Sequence, residues 1–174
     1  MARFFTLFVA IVLALFAVEL LRPVQSAVVI PWTDALARIS AFLVSIFDPH
    51  VAVFGKVLQS TSNGFAISIE AGCNGIEAAI ILVGAMLAFP APWSHRAIGI
   101  LAGLAAVQAL NIVRVVSLFY LGQWSFEAFE WAHLYLWQAL IMLDVLIVWL
   151  VWTRALPSVR PSADPAPRPG STAP

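Results

Sequence analysis

The sequence predicts an all-α integral membrane protein, with about four transmembrane helices, an outer-face amphipathic helix and a small β-hairpin. Three observations lead there. Hydrophobic residues make up 62% of the 174-residue chain and charged residues only 10%, with a mean hydropathy of +0.96. A domain that keeps its surface in water carries about 25% charged residues. The apolar residues gather into four long runs, and one short segment between the first two alternates with a period of two. Net charge is zero, from 9 basic and 9 acidic residues. With no basic patch, nucleic acid is excluded as a partner.

The four runs are Phe4–Leu21, Gly75–Phe89, Ala97–Leu121 and Leu134–Trp152. Spanning a bilayer takes about 20 predominantly apolar residues, so the second run is short unless it extends from Cys73 to Trp93. In lipid each backbone polar group needs an internal partner, which makes these runs helices. The first run begins with Arg3 and precedes Val24-Gln25-Ser26, a loose likeness of a cleaved leader. Its apolar stretch exceeds the usual 7–15 residues of a leader core, so it reads as a retained helix.

Between the first two runs, Leu36, Ile39, Leu43 and Ile46 share one helical face, and Asp34 and Arg38 pair on the other. Thr33 can cap this helix, which reads as Thr33 to Phe47, either lying in the membrane interface or packing on the bundle. Val51 to Gln59 and Phe65 to Glu70 flank a turn at Asn63-Gly64, the pattern of a hairpin. Two prolines mark a tight link over residues 90–95. Gly122 to Ala132 reads as a second outer loop with an aromatic belt of Trp124, Phe126, Phe129 and Trp131. Residues 1–154 form one transmembrane domain. Residues 155–174, rich in Pro, Ser and Ala, read as a disordered cytoplasmic tail. With the N-terminus inside, Arg3, Arg96, Arg154, Arg160 and Arg168 are cytoplasmic, against Arg22, Arg38 and Lys56 outside.

That orientation brings three reactive residues to the outer face. Cys73, the single cysteine, opens the second run within Glu70-Ala71-Gly72-Cys73-Asn74-Gly75-Ile76-Glu77. At a helix N-terminus and near a cation its thiol is expected to have a lowered pKa and to be nucleophilic. Lone cysteines are more often small buried hydrophobes. Arg114 lies seven residues before Leu121, roughly 10 Å from the outer end of its helix. An arginine there costs about 2.5–3.5 kcal/mol on insertion scales, and it normally faces a bundle interior or a wet cavity. A structural ion pair with Glu77 is the plainer account. Asn111, one turn earlier, can hold the guanidinium or contact substrate. His133 opens the fourth run. It suits proton transfer, or it is an interfacial histidine beside Trp131 and Tyr135. Together a thiol, an imidazole and a guanidinium supply nucleophile, base and oxyanion donor.

Ala71-Gly72-Cys73-Asn74-Gly75-Ile76, then Asn111-Ile112-Val113-Arg114, then His133 resemble the signature of the exosortase/archaeosortase family. The resemblance covers roughly Phe65 to Trp152, and the short length is most similar to the compact exosortase H branch. It implies a membrane cysteine transpeptidase or protease in a bacterial cytoplasmic (inner) membrane, with its active site toward the periplasmic face. It implies as partners exported proteins that end in a short motif, a transmembrane helix and a basic cluster, besides membrane lipid, with the acceptor unspecified. Carried over, Cys73 is the nucleophile, Arg114 the oxyanion stabiliser and His133 the acid/base.

Supporting or substrate-binding roles fall to Asn74, Glu77 and Asn111. Glu77, four residues after Cys73, is expected to pair with Arg114 or orient His133. Asp144, about 16 Å into the fourth helix, reads as a functional charge or as a protonated carboxyl bonded to Gln108. His50 and His95 have no role, and no His or Cys pair has metal-ligand spacing; no cofactor or metal is expected. Two rivals remain. One is a non-catalytic assembly factor or transporter subunit with Arg114, Glu77 and Asp144 as structural pairs. The other is a thiol acyltransferase acting on lipid.

Overall fold

The computed structural model describes residues 2–156; the expected tail lies almost wholly outside the described residues. Among the described residues, five helices and one small sheet make up the fold. Helix α1 is Ala2–Glu19, and α2 is Arg22–Ser45, with a π-helical turn over Gln25–Val29. The strands β1 (Val51–Phe54), β2 (Val57–Ser60) and β3 (Ala66–Ser68) follow. Then come α3 (Ile76–Ala88), α4 (Trp93–Trp124) and α5 (Phe126–Arg154), the last with a π-helical turn over Ala132–Leu136. Helices α1, α2, α4 and α5 are long and apolar enough to cross a membrane, and α3 is a shorter apolar helix. This is an all-α membrane architecture with a small three-stranded sheet.

Helix α3 sits at the centre, packed against α1, α4 and α5. Ala78, Leu82 and Met86 of α3 meet Val107 of α4 and Ile141, Val145 and Trp152 of α5 in one buried cluster. Small residues let the backbones close up, as membrane helices require when water gives no push. A Cβ on Gly84 would lie 2.6 Å from Val12 Cγ2 of α1, and one on Gly103 would lie 2.7 Å from Leu82 Cδ2.

The bundle has two chemically distinct ends. At one, Phe4 of α1 touches Phe89 and Trp149, the Trp152 indole donates to the His95 carbonyl, and Arg96 donates to the Phe89 carbonyl. The other end carries the sheet and the turn before α3. The second core cluster lies there: Leu36, Ala37, Ala41 and Val44 of α2, Leu58 of β2, Ile69, and Val115 and Phe119 of α4.

Three sequence expectations change. The amphipathic helix starts at Arg22 rather than Thr33. Pro23 sits in the first turn, where its missing N–H has no helical partner in any case, Pro31 follows the π-helical turn, and Thr33 is internal, its hydroxyl donating to the Val29 carbonyl instead of capping. Early in α2, Val24–Trp32 line a groove with Leu104 and Gln108, and later Leu36–Val44 pack on Val115 and Phe119. The helix therefore runs beside the C-terminal two-thirds of α4. The hairpin is a three-stranded antiparallel meander, because Gly55 (φ +57°) makes an extra turn within Val51–Gln59. The expected loop at Gly122–Ala132 is helical. There α4 continues to Trp124, and Ser125, extended, starts α5 by accepting from the Ala128 N–H.

The close approach at Gly84 sets an expectation. Gly84→Val overpacks the α1–α3 contact, and overpacking costs about 1–3 kcal/mol. The thermal unfolding midpoint of the detergent-solubilised protein should fall. An unchanged midpoint would mean that α1 is not seated as described.

Candidate active site

Cys73 is set by the turn that joins the sheet to α3. Its N–H donates to the Glu70 carbonyl, and Gly72 and Gly75 take positive φ values of +82° and +76°. The turn is pinned on both sides. Asn74 is buried, its Oδ1 accepting from the Ile76 N–H and its Nδ2 donating to Thr33 Oγ1, while its carbonyl accepts from the Trp32 indole. Glu77 Oε1 accepts from the Gly72 N–H at 2.6 Å. Gly75 packs so closely on Gln108 that a Cβ would meet its Nε2 at 2.8 Å. Asn74 and Glu77 thus shape the loop that presents the sulfur.

Arg114 reaches this turn from α4. Only 3% exposed, it donates from Nη1 to the Gly72 carbonyl at 3.3 Å and from Nη2 to Cys73 Sγ at 3.5 Å. It forms no ion pair with Glu77: among the described residues the salt bridge is Lys56–Glu70, on the surface. The positive charge of Arg114 therefore faces the thiol and the adjoining carbonyl rather than a carboxylate.

His133 comes from the π-helical turn of α5, with Nε2 3.9 Å from Cys73 Sγ. Its ring stacks on Phe129, one helical turn earlier, at 5.6 Å between centroids and 3° between planes. Nδ1 is buried without a hydrogen-bond partner, so ring stacking fixes the imidazole in place of a carboxylate. Phe129 also meets Phe65 edge-on. It belongs to the site, whereas Trp124, Phe126 and Trp131 are exposed, as a belt would be. A small cavity of about 40 Å³ lies among Ile67, Ser68, Ile69, Cys73, Arg114, Phe129 and His133. A larger groove of about 410 Å³, lined by Leu15, Val28, Ile76, Ile80 and Leu104, is almost wholly apolar.

Further expectations are corrected. Cys73 precedes the α3 cap, Gly75, by two residues, so it is not at the helix N-terminus. Burial pushes its thiol above the ordinary range; Arg114 pulls it down, and Glu77 and Glu70 push it up. The thiol is therefore not lowered as the sequence suggests, because desolvation outweighs the guanidinium. Gln108 makes no hydrogen bond to Asp144: Gln108 Oε1 and Asp144 Oδ2 are each buried without a partner. Asn111 is fully buried and neither of its amide atoms is bonded, so it does not hold the Arg114 guanidinium. No group of three or more His, Cys, Asp or Glu side chains among the described residues is placed to hold a metal.

The thiol's surroundings fix a pH dependence. Alkylation of Cys73 by iodoacetamide should rise with pH along a curve whose inflection lies above the roughly 8.5 of a free cysteine. Glu77→Gln removes a negative charge that disfavours the thiolate, so the curve should move to lower pH; Arg114→Gln should move it higher. Opposite displacements would refute this electrostatic account.

Comparison with curated proteins and with solved structures gave no match. A family model did match. The family described as Transmembrane exosortase (Exosortase_EpsH) covers residues 1–152, reaching from α1 through the site to nearly the end of α5. The chain is a multi-pass membrane protein and belongs to the transmembrane exosortase family.

Proposed function

We propose that the protein is a membrane cysteine transpeptidase or protease that cuts C-terminal sorting signals of exported proteins. The observation that carries this reading is the convergence of Cys73, Arg114 and His133, from three separate segments, on one small cavity. A buried guanidinium with no carboxylate partner, held against a thiol and a carbonyl, is costly as a structural element and useful where negative charge develops.

Because burial keeps the thiol protonated near neutral pH, the reaction needs a base. His133 Nε2 takes the Cys73 proton as the sulfur attacks the scissile carbonyl. A C–S bond forms, and the carbonyl electron pair moves to oxygen, where Arg114 stabilises it. When that pair returns, the C–N bond breaks, and the leaving amine receives the proton from His133. The resulting thioester is resolved by an amine, a hydroxyl or water. Asn111, fully buried and outside the lining of the cavity, takes no step in this reaction. Glu77 and Asn74 act by positioning the Cys73 turn. The membrane in this reading is the bacterial inner membrane, with the site toward the periplasm and Arg3, Arg96 and Arg154 at the cytoplasmic end.

In cells, Cys73→Ala should leave a folded, inserted protein while exported proteins ending in an apolar helix and a basic cluster accumulate uncut. Normal processing in that variant would favour a non-catalytic assembly factor. Arg114→Lys, which offers a point charge for a planar fork, should lower kcat about a hundredfold. A membrane-impermeant maleimide should label Cys73 from the periplasmic side; labelling only from the cytosol would invert the orientation.

A further inference from the structure

From the edge of the sheet we infer that β3 is the docking strand for the substrate. An extended segment of the exported protein, lying before the scissile bond, adds to the sheet as a fourth strand. The inference rests on the reading of Cys73 as the nucleophile.

The sheet order is β1-β2-β3, so β3 is an edge strand. Its register against β2 pairs Leu58 with Ile67, and the flanking bonds are Ser60 N–H to the Phe65 carbonyl and Ile69 N–H to the Lys56 carbonyl. In an antiparallel ladder these bonds alternate. Phe65, Ile67 and Ile69 therefore turn their backbone groups to β2, while Ala66 and Ser68 turn theirs outward. Ala66 and Ser68 are indeed exposed, whereas Ile69 is buried. A free row of N–H and C=O groups is a template for another strand.

Proteins usually blunt such an edge, and the opposite edge of this sheet is covered in that way: β1 packs against α2. The β3 edge stays open where it is most useful. Four residues after Ser68 the chain reaches Gly72, whose carbonyl is bonded to Arg114, and then Cys73. Ile67, Ser68 and Ile69 line the same cavity as Cys73 and His133. A strand paired on this edge is carried by its own direction into the space between the sulfur and the imidazole. The cavity between the sulfur and the imidazole is narrow, at about 40 Å³. A segment paired on β3 arrives extended there. Ionic contacts can lie beside the edge, since Lys56, Ser68 and Glu70 form an exposed bonded cluster next to it.

The test uses a precursor that accumulates in the Cys73→Ala strain. Peptides spanning its cut site and apolar helix are made with single backbone N-methyl groups, one position at a time, and given to the full-length protein in micelles. Strand pairing predicts an alternating pattern upstream of the cut. N-methylation at every second residue should raise KM about tenfold, the scale of one lost main-chain bond with its steric clash, and the residues between should be tolerated. On the protein side, Ala66→Pro and Ser68→Pro delete outward N–H groups without touching the β2 ladder, and each should raise KM for the unmodified peptide similarly. The rate at which Cys73 reacts with a methanethiosulfonate reports whether each variant keeps the site intact. Cleavage that tolerates N-methylation at all upstream positions, or shows no alternation, overturns β3 docking while leaving the cysteine chemistry standing. Failure of the wild-type protein to cut the unmodified peptide, or cutting by Cys73→Ala, overturns the catalytic reading and docking with it.

Discussion

Burying one guanidinium in a bundle of apolar helices is the constraint around which this protein is arranged. Arg114 is 3% exposed and has no carboxylate beside it. A charge so placed is tolerated only where hydrogen-bond acceptors converge on it. Here the acceptors are the Gly72 carbonyl and the Cys73 sulfur. The turn must therefore approach α4 closely and hold a conformation with two left-handed glycines. Asn74, Thr33 and Trp32 tie it to α2, and Glu77 closes it from α3. The same loop supplies the acceptors for Arg114 Nη1 and Nη2 and presents the thiol, while Arg114 Nε is buried without a partner.

Cys73 and His133 are held by different means. Hydrogen bonds lock the Cys73 turn. His133 instead leans on Phe129 and sits in a π-helical turn, a local widening of the helix often found at functional sites. With Nδ1 unbonded, the imidazole lacks the carboxylate that would hold its positive form. In the proposed reaction the thiol, its pKa raised by burial, gives its proton to this imidazole as the substrate is attacked.

The site residues are legible in the sequence because each breaks a local pattern. Arg114 interrupts an apolar run, Cys73 stands alone between two glycines, and His133 opens a run after an aromatic cluster. Alternation in Phe65–Glu70 likewise marks a strand. What is not legible depends on contacts made across the fold. The extra turn at Gly55 depends on β1 finding β2. Phe129 looks like one aromatic of a belt until Gly122–Ala132 is seen to be helical, when its spacing of four from His133 stacks the two rings. Desolvation of Cys73 is set by neighbours from three segments, so a local argument from a helix end gives the wrong sign. The Glu77 carboxylate was free to choose among partners, and the nearest was a backbone N–H rather than Arg114.

The brevity of α3 has a consequence for the lipid around it. Its 13 residues measure about 20 Å at 1.5 Å each, while a bilayer's hydrocarbon layer is about 30 Å thick. The central helix therefore falls roughly 10 Å short, and the polar turn that precedes it needs either a thinned membrane or a hydrated dimple beneath the headgroups. Longer acyl chains would deepen that dimple and shorter ones would shallow it. Acyl-chain length thereby becomes a control on how readily water reaches the sulfur, exerted by the solvent rather than by any residue of the chain.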